Sequence, residues 1–184
     1  MATLAAVLVS FAVPASAVEP TDPTSTTVQV LGINDFHGRL EASGSVAGAA
    51  VLAGTVNKYR AANPNTAFVG AGEYPNTVFA AAGDLIGAST FESFVAHDKP
   101  TIDALNAMGL EVSAVGNHEF DQGYADLTTR VMAPYDPVTN PYGGATWQYL
   151  GANVRDAGTG DPALPETWTE SFGDIKVGFI GVVT

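Results

Sequence analysis

The sequence predicts an α/β domain with a largely parallel β-sheet that helices cover on both faces. Apolar stretches of strand length alternate with stretches of helical periodicity along most of the 184-residue chain, and this alternation is typical of a parallel sheet. Three of the apolar stretches run directly into carboxylate, imidazole or amide side chains. Because ligands of parallel sheets bind at the carboxyl ends of the strands, we expect these polar side chains at one sheet edge.

Strands and helices are expected in a regular order along the chain. They are a strand at 28–33, a helix at 45–62, a loop or short strand at 67–76, a strand at 77–82, helices at 89–96 and 100–108, a strand at 112–115, a helix at 124–132, and strands at 147–154, 167–172 and 176–183. Pro100 suits a helix start and Gly109 a helix stop. Gly173 and Asp174 are typical of a hairpin turn between the last two strands.

The first residues have the pattern of an export signal. An apolar run at 4–13 is followed by the small residues of 15–17, which predicts a signal peptide at 1–17 and cleavage before Val18. The run is too short to span a bilayer as a helix, so we expect no transmembrane segment in the mature chain. No Lys or Arg precedes Arg39, which departs from the usual charged start. Residues 18–27 are expected to be a linker, and we expect a secreted, periplasmic or wall-associated protein.

Charge and composition narrow the possible partners. Seven Lys and Arg against nineteen Asp and Glu give a formal charge of -12, which argues against a nucleic acid polymer or an anionic membrane surface as partner. An acidic chain that handles a phosphate needs cations in its site, so the charge favours bound metals. The absence of cysteine excludes disulfides, thiolate metal sites and cysteine nucleophiles.

Two polar clusters follow the first and second predicted strands. Asp35 and His37 are two residues apart just past a strand, so both can point to the same side, and carboxylate with imidazole suits Zn, Mn or Fe better than Ca. Alternatively, Asn34 and Asp35 form an Asx turn and His37 is a surface residue. Gly83-Asp84 alone is an ordinary turn or helix cap. Together with the first cluster, Asp84 could bridge two cations.

The third cluster follows the strand at 112–115 and contains an amide, an imidazole and two carboxylates. Asn117 directly at a strand end suggests metal coordination through its carbonyl oxygen. His118 and Asp121 are three residues apart, so on a helix Asp121 would accept a hydrogen bond from one His118 nitrogen and leave the other to act on substrate. The alternative is a solvated helix start rich in acids. Glu119 is interpreted in that second way.

Other polar residues carry weaker signals. His97 is interpreted as a solvated surface residue at a polar helix end, and Arg39 as either an anion contact or a loop residue. Asn153 ends the fourth main strand, but it is a single amide. No P-loop and no Gly-x-Ser-x-Gly elbow occurs in the chain, which disfavours nucleoside triphosphate motors and serine hydrolases.

Together the three clusters resemble the calcineurin-like metallophosphoesterases. The closer resemblance is to their secreted branch, the 5'-nucleotidase, UDP-sugar hydrolase and 2',3'-cyclic-nucleotide phosphodiesterase family, and it covers about 28–184. The matching segments are 34–38 (Asn-Asp-Phe-His-Gly), 83–87 (Gly-Asp-Leu-Ile-Gly), 116–121 (Gly-Asn-His-Glu-Phe-Asp), 99–109 before the third strand, and 178–184. The resemblance implies a layered fold with a mostly parallel or mixed sheet flanked by helices.

The resemblance also implies a binuclear site that hydrolyses phosphate esters of nucleotides. Its metal ligands would be Asp35, His37, Asp84 and Asn117, with Asp84 bridging two divalent ions of Zn, Mn, Co or Fe. His118, oriented by Asp121, would sit over the phosphoryl group and stabilise the transition state or the leaving group. The expected substrates are nucleotides or related phosphate esters outside the cytoplasm.

The chain also departs from the family pattern. The family's later lone His and Gly-His-x-His motif are missing, and the chain has three histidines in all. We therefore expect residues 28–184 to be the N-terminal part of a metallophosphoesterase domain, incomplete at its C-terminus, without a C-terminal nucleotide-binding domain and inactive alone. Two alternatives are a non-catalytic secreted binding or surface module on the same fold, and a calcium- or magnesium-binding structural domain, which imidazole ligands disfavour.

Overall fold

The computed structural model describes residues 27–63 and 76–184. In chain order their elements are β1 (Gln29–Ile33), α1 (Gly48–Ala62), β2 (Thr77–Ala81), α2 (Phe91–Phe94), α3 (Lys99–Ala107), β3 (Val112–Ala114), a 3-10 turn (His118–Phe120), α4 (Tyr124–Asp126), a π-helical turn (Leu127–Val131), β4 (Gln148–Leu150), β5 (Thr167–Phe172) and β6 (Ile175–Ile180). The predicted signal peptide, all but the last residue of the predicted linker and most of the predicted loop at 67–76 lie outside the described residues.

The first four strands form one parallel sheet in the order β1-β2-β3-β4. Ile33 pairs with Ala81, and Ala81 pairs with Ser113, so β1, β2 and β3 end at nearly the same level. All four strands run in the same direction, so their carboxyl ends share one edge. The predicted α/β fold with a parallel sheet and helices is thus confirmed, as is the common edge for the polar clusters.

The sequence predicts helices on both faces of this sheet, but in the described part of the chain α1, α3 and the π-helical turn pack on the same face. Phe79 of β2 faces a core built with apolar residues of α1, α3 and the π-helical turn. Its neighbour Val78 points to the opposite face. There the apolar residues of β2 to β4 pack against Trp168, Phe172 and Phe179. The hairpin of β5 and β6 therefore occupies, with aromatic side chains, a face that we had expected a helix to cover.

Local hydrogen bonds explain where the observed elements are shorter than expected. Helix α1 begins at Gly48 and not at residue 45, because Ser43 and Val46 exchange two backbone hydrogen bonds of 2.9 Å in a tight turn. Strand β4 ends at Leu150 because the next amides leave the sheet, with Gly151 N bonding Pro165 O at 2.8 Å. The predicted hairpin is confirmed, with Gly173 in the left-handed region at φ 61°. No helix among the described residues is long and apolar enough to cross a membrane.

Candidate metal centre

The loop after β1 is held in an unusual backbone conformation by the loop after β2. Asp35 and His37 have φ values of 51° and 46°, a region that costs a non-glycine residue roughly 1 kcal/mol or more. Their amides donate to the carbonyl oxygens of Gly83 and Asp84, at 3.2 and 3.1 Å. These two hydrogen bonds fix the direction in which the Asp35 and His37 side chains leave the sheet edge.

Asp84 lies against the start of the loop after β3. A Cβ atom on Gly116 would come within 2.1 Å of Asp84 Oδ1, so this contact requires glycine at position 116. The same carboxylate oxygen accepts a hydrogen bond of 3.0 Å from the His118 amide. The second and third polar clusters are thereby joined through one carboxylate.

Three side chains converge at this edge of the sheet. Ligand atoms of His37, Asp84 and His118 all lie within 4.8 Å of one another. The two imidazole rings meet edge to face with their centroids 5.0 Å apart. Asp35 Oδ1 lies 3.9 Å from His37 Nε2, and two ligands of one ion at about 2.1 Å each are at most about 4.2 Å apart. This set of imidazoles and carboxylates fits Zn, Mn or Fe.

Both histidines engage the same ring nitrogen, Nδ1, in a hydrogen bond. His37 Nδ1 lies 2.8 Å from the carbonyl oxygen of Gly87, and since a carbonyl only accepts, His37 carries its proton on Nδ1. His118 Nδ1 lies 2.9 Å from Asp121 Oδ2, the contact that the three-residue spacing predicts. In the neutral rings Nε2 is therefore the free nitrogen, available to a metal or a substrate.

The hydrogen bond with Asp121 raises the pKa of His118 above its ordinary value of 6.5. Desolvation lowers it, while the negative charges of Asp121, Asp84 and Glu119 raise it further. His118 is one-third exposed and Asp121 slightly more, so solvent and substrate can reach the pair. The surroundings thus favour the imidazolium, the form that donates a proton or a hydrogen bond.

The interpretation of Glu119 as a solvated helix-start residue is wrong. Its side chain is buried at 3% exposure and accepts backbone hydrogen bonds from Asp84 at 2.9 Å, Leu85 at 2.8 Å and Gly116 at 2.6 Å. Burial raises the pKa of Glu119, and the three hydrogen bonds oppose that rise. The carboxylate therefore joins the loops after β2 and β3 through the backbone amides of Asp84, Leu85 and Gly116.

Asn117 and Asn153, the two amide candidates, have different surroundings. Asn117 is exposed and borders a cavity of about 780 Å³ whose wall includes Phe120, Tyr124 and Arg155; its role as a ligand remains a prediction. Asn153 bonds both backbone groups of Val183, at 2.5 and 3.0 Å, and so ties two chain segments together.

Arg39 and His97 are both exposed. The His97 ring lies 4.6 Å from the ring of Tyr142. The interpretation of His97 as a surface residue is thus confirmed, and neither side chain belongs to the converging cluster.

Two further residues that shape the site were missed. Gly87 supplies the carbonyl that fixes the His37 tautomer, and Asp98, 9% exposed, accepts the Gly87 amide at 3.3 Å. The glycine that closes the segment at 83–87 was a signal for a special backbone position. Asp98 stands between His97 and Lys99 and looks like a solvated helix end, so nothing local revealed its burial.

No family model matches the chain, but several curated proteins are similar to it in sequence. A cell wall protein of Listeria monocytogenes is 36% identical over 176 residues, covering 85% of this chain and 22% of that protein. An endonuclease of Bacillus subtilis is 32% identical over 162 residues, covering 85% and 13%. The 2',3'-cyclic-nucleotide 2'-phosphodiesterase/3'-nucleotidase of Haemophilus influenzae is 30% identical over 127 residues, covering 60% and 18%.

The fold has counterparts among solved structures. The NAD nucleotidase of Haemophilus influenzae matches with a TM-score of 0.62 at 21% identity, over 85% of this chain and 29% of that one. The chain belongs to the calcineurin-like metallophosphoesterases, as the N-terminal domain of the 5'-nucleotidase and 2',3'-cyclic-nucleotide phosphodiesterase family. It spans between 13% and 22% of the length of the curated relatives named above.

Proposed function

We propose that this chain forms part of an exported enzyme that hydrolyses phosphate esters of nucleotides at a binuclear metal site. The proposal rests on one observation above the others, the convergence of His37, Asp84 and His118 within 4.8 Å at the carboxyl edge of a parallel sheet. Membership of the metallophosphoesterases supports the same chemistry.

Four residues would hold the metals. Asp35 and His37 would bind the first ion through a carboxylate oxygen and Nε2, Asp84 would bridge, and Asn117 would bind the second ion through its amide oxygen. Bound divalent ions would activate a water and neutralise the phosphoryl oxygens. Two other residues of this chain would position these ligands. The Gly87 carbonyl keeps Nε2 of His37 unprotonated in the neutral ring, and Glu119 accepts a hydrogen bond from the Asp84 amide.

His118 and Asp121 would handle the proton of the reaction. Asp121 stabilises the imidazolium of His118, which can then donate from Nε2 to a phosphoryl oxygen or to the departing alcohol oxygen. This assignment needs no phosphoenzyme. His118 is also one of the possible metal ligands. Metal content and turnover of His118→Ala distinguish a metal ligand from a proton donor.

Nucleotides outside the cytoplasm are the proposed substrates. Two relatives carry names that refer to nucleotide hydrolysis, and the predicted signal peptide supports export. A third is named an endonuclease, but the net charge of -12 opposes binding of a nucleic acid polymer at physiological salt. A small phosphate ester, which carries few charges, meets less of this repulsion than a polymer does.

The proposed ligands also suggest that further residues complete the site. Four side chains cannot fill two ions that take about five or six ligands each. We therefore propose that the rest of a longer protein supplies the missing ligands, and that the 184-residue chain alone hydrolyses little or nothing. Steady turnover of a nucleoside monophosphate by this chain with Mn²⁺, abolished by His118→Ala, would show that this proposal is wrong.

The function is tested in the full-length protein with a small substrate panel. A nucleoside 5'-monophosphate, a 2',3'-cyclic nucleotide and single-stranded DNA are offered with Mn²⁺, and phosphate release, conversion of the cyclic nucleotide to its monophosphate and DNA cleavage are each measured. We expect hydrolysis of at least one nucleotide, inhibition by EDTA and slower turnover in His118→Ala. Cleavage of DNA alone would overturn the proposed substrate class.

A non-catalytic surface module is the second candidate function. The name of the Listeria relative as a cell wall protein favours it, since such a protein can reuse the fold without the chemistry. Under this alternative the full-length protein would hydrolyse no nucleotide, and substitution of Asp84 would leave its binding to cell walls unchanged.

A further inference from the structure

We infer that Asp98 is a positioning residue for both histidines, and that it acts through the peptide segment at Gly87 and Ala88. Asp98 lies between α2 and α3, away from the converging side chains, and no role in the chemistry follows from its sequence context. The inference rests on the proposed function, because it concerns how His37 and His118 are aimed at the site.

A single peptide group connects the two histidines. The carbonyl oxygen of Gly87 accepts from His37 Nδ1 at 2.8 Å, and the other end of the same peptide, the Ala88 amide, donates to Asp121 Oδ2 at 3.1 Å. That oxygen also accepts from His118 Nδ1 at 2.9 Å. A rotation of this peptide would therefore disturb both rings, and its orientation sets the direction of both Nε2 atoms.

The backbone around this peptide has little room to adjust. Gly87 has a φ of 73°, and a Cβ atom there would lie 2.2 Å from the carbonyl oxygen of His118 and 2.8 Å from Asp121 Oδ2. Ala88 has a φ of 42°, which is strained for a residue with a side chain. Strained backbone persists only where surrounding contacts hold it, so the segment needs an anchor.

Asp98 provides that anchor from a buried position. Its Oδ2 accepts the Gly87 amide at 3.3 Å, and its Oδ1 accepts the hydroxyl of Ser93 at 2.8 Å. Ser93 in turn lies 2.6 Å from the hydroxyl of Thr101. Ser93 and Thr101 are fully buried and Asp98 is 9% exposed. A carboxylate this deeply buried is stable only when its oxygens are hydrogen-bonded, and one of its bonds holds Gly87.

The contacts thus form one continuous path from α3 to the two rings. Thr101 and Ser93 fix Asp98, Asp98 fixes the Gly87 amide, and the following peptide fixes His37 directly and His118 through Asp121. Residues that orient metal-binding histidines typically change metal affinity when they are substituted. Asp98 would belong to this class although its two hydrogen bonds go to Gly87 and Ser93 and not to a ring nitrogen.

Glycine and asparagine substitutions separate the carboxylate from the backbone geometry. Asp98 has a φ of 61°, which glycine adopts freely and asparagine tolerates. Asp98→Gly therefore removes the acceptor without adding strain. Asp98→Asn keeps one oxygen for the Gly87 amide while its NH₂ group can donate to Ser93. The matched control is Asp103→Ala, which removes an exposed carboxylate from α3, the helix that follows Asp98.

The variants are compared in the full-length protein by Mn²⁺ affinity, thermal midpoint and histidine NMR. We expect Asp98→Gly to weaken Mn²⁺ binding about tenfold, and the ¹⁵N signals of both rings in metal-free protein to move toward mixed tautomers. Asp98→Asn should recover most of the affinity and both signals. Asp103→Ala should match the wild type in all three measurements.

Several outcomes would overturn the inference. One is a lower thermal midpoint in Asp98→Gly with unchanged affinity and ring signals, since Asp98 would then only stabilise the fold. Another is an Asp98→Asn variant whose Mn²⁺ affinity and ring signals change as much as those of Asp98→Gly. If Asp98→Gly does not fold, Ser93→Ala should shift both rings in the same direction by less, and unchanged rings would contradict the inference.

The same experiment separates the inference from the proposed function. His37→Ala should weaken Mn²⁺ binding if the proposed metal site is right. If it does not, the proposed site fails, while the ring signals of Asp98→Gly still decide whether Asp98 orients the histidines.

Discussion

At the scale of single residues, the contact between His118 and Asp121 favours the protonated form of a partly exposed imidazole. The hydrogen bond and charge of Asp121 raise the pKa of His118, so this contribution to stability is fully present below pH 6.5. It is lost as the pH rises through the raised pKa of the folded protein. Because both side chains are partly exposed, solvent screens the effect on stability, and the pKa itself is the more sensitive quantity.

Asp121→Asn should lower the pKa of His118 toward 6.5 in the metal-free protein. The substitution removes the charge that stabilises the imidazolium and leaves a similar shape. Histidine ¹³C or ¹⁵N chemical shifts, measured as a function of pH, give the pKa of His118 directly. The exposed His97, which is distant from Asp121 in sequence, serves as an internal control. An unchanged pKa in the variant would contradict the contact on which the proposed role depends.

Glu119→Gln should destabilise the protein although it only replaces one carboxylate oxygen with an NH₂ group. Glutamine has one acceptor oxygen, so backbone amides of Asp84, Leu85 or Gly116 lose their buried acceptor and meet an NH₂ group instead. Leaving such groups unsatisfied costs about 2–3 kcal/mol, to be measured as the free energy of unfolding. Glu41→Gln, at an exposed position, is the control, and equal stability of the two variants would contradict the anchoring role.

The positions of site residues could be predicted from the sequence where they depend on neighbouring residues, and could not be predicted where they depend on distant ones. Asp35, His37, Asp84 and His118 each stand next to the end of an apolar stretch, so spacing alone placed them at one edge of the sheet. Glu119 stands in the same motif, but its partners include Asp84 and Leu85, which lie more than thirty residues away. Neither its burial nor that of Asp98 is encoded in neighbouring residues.

At the level of elements, α1 is attached to the end of α3 through a buried arginine. Arg60 is 2% exposed, and its guanidinium donates to the carbonyl oxygens of Met108 and Gly109. These carbonyls lie where α3 ends, and a cation at a helix C-terminus also interacts favourably with the helix dipole. The contact links two helices of the same layer beside the strands that carry the site.

Arg60→Ala should lower the free energy of unfolding by about 3–5 kcal/mol, because it removes buried hydrogen bonds from a charged group and leaves space behind. Denaturant unfolding measures the change. Lys58→Ala, at an exposed position on the same helix, should have almost no effect. A loss below about 1 kcal/mol for Arg60→Ala, within the range of surface substitutions, would contradict this account of the helix layer.

The elements themselves were predicted better than their arrangement. Strands, helices and the Gly173 hairpin follow from periodicity and turn residues, which act over a few positions. The side of the sheet on which each helix packs depends on contacts between distant segments. For that reason the hairpin of β5 and β6, with Trp168 and Phe179, was found on a face expected to carry helices.

At the scale of the whole molecule, the described residues supply only some of the ligands that we propose for a binuclear metal site. They bring together His37, Asp84 and His118, while the chain covers at most 22% of the curated relatives named above. We therefore expect full-length protein to bind two divalent ions and the 184-residue chain to bind Mn²⁺ more weakly. Equal affinity and stoichiometry in both would show that this chain supplies every ligand.

The metal content of two variants tests the central claim most directly. Full-length wild type, Asp84→Ala and His118→Ala are purified with Mn²⁺, and bound metal per chain is measured by mass spectrometry. The proposed roles predict that Asp84→Ala loses the metals together with activity, because it removes the bridging carboxylate, whereas His118→Ala keeps them and turns over more slowly. Full metal content in Asp84→Ala, or loss of metal from His118→Ala, would contradict the assignment of ligands and proton donor.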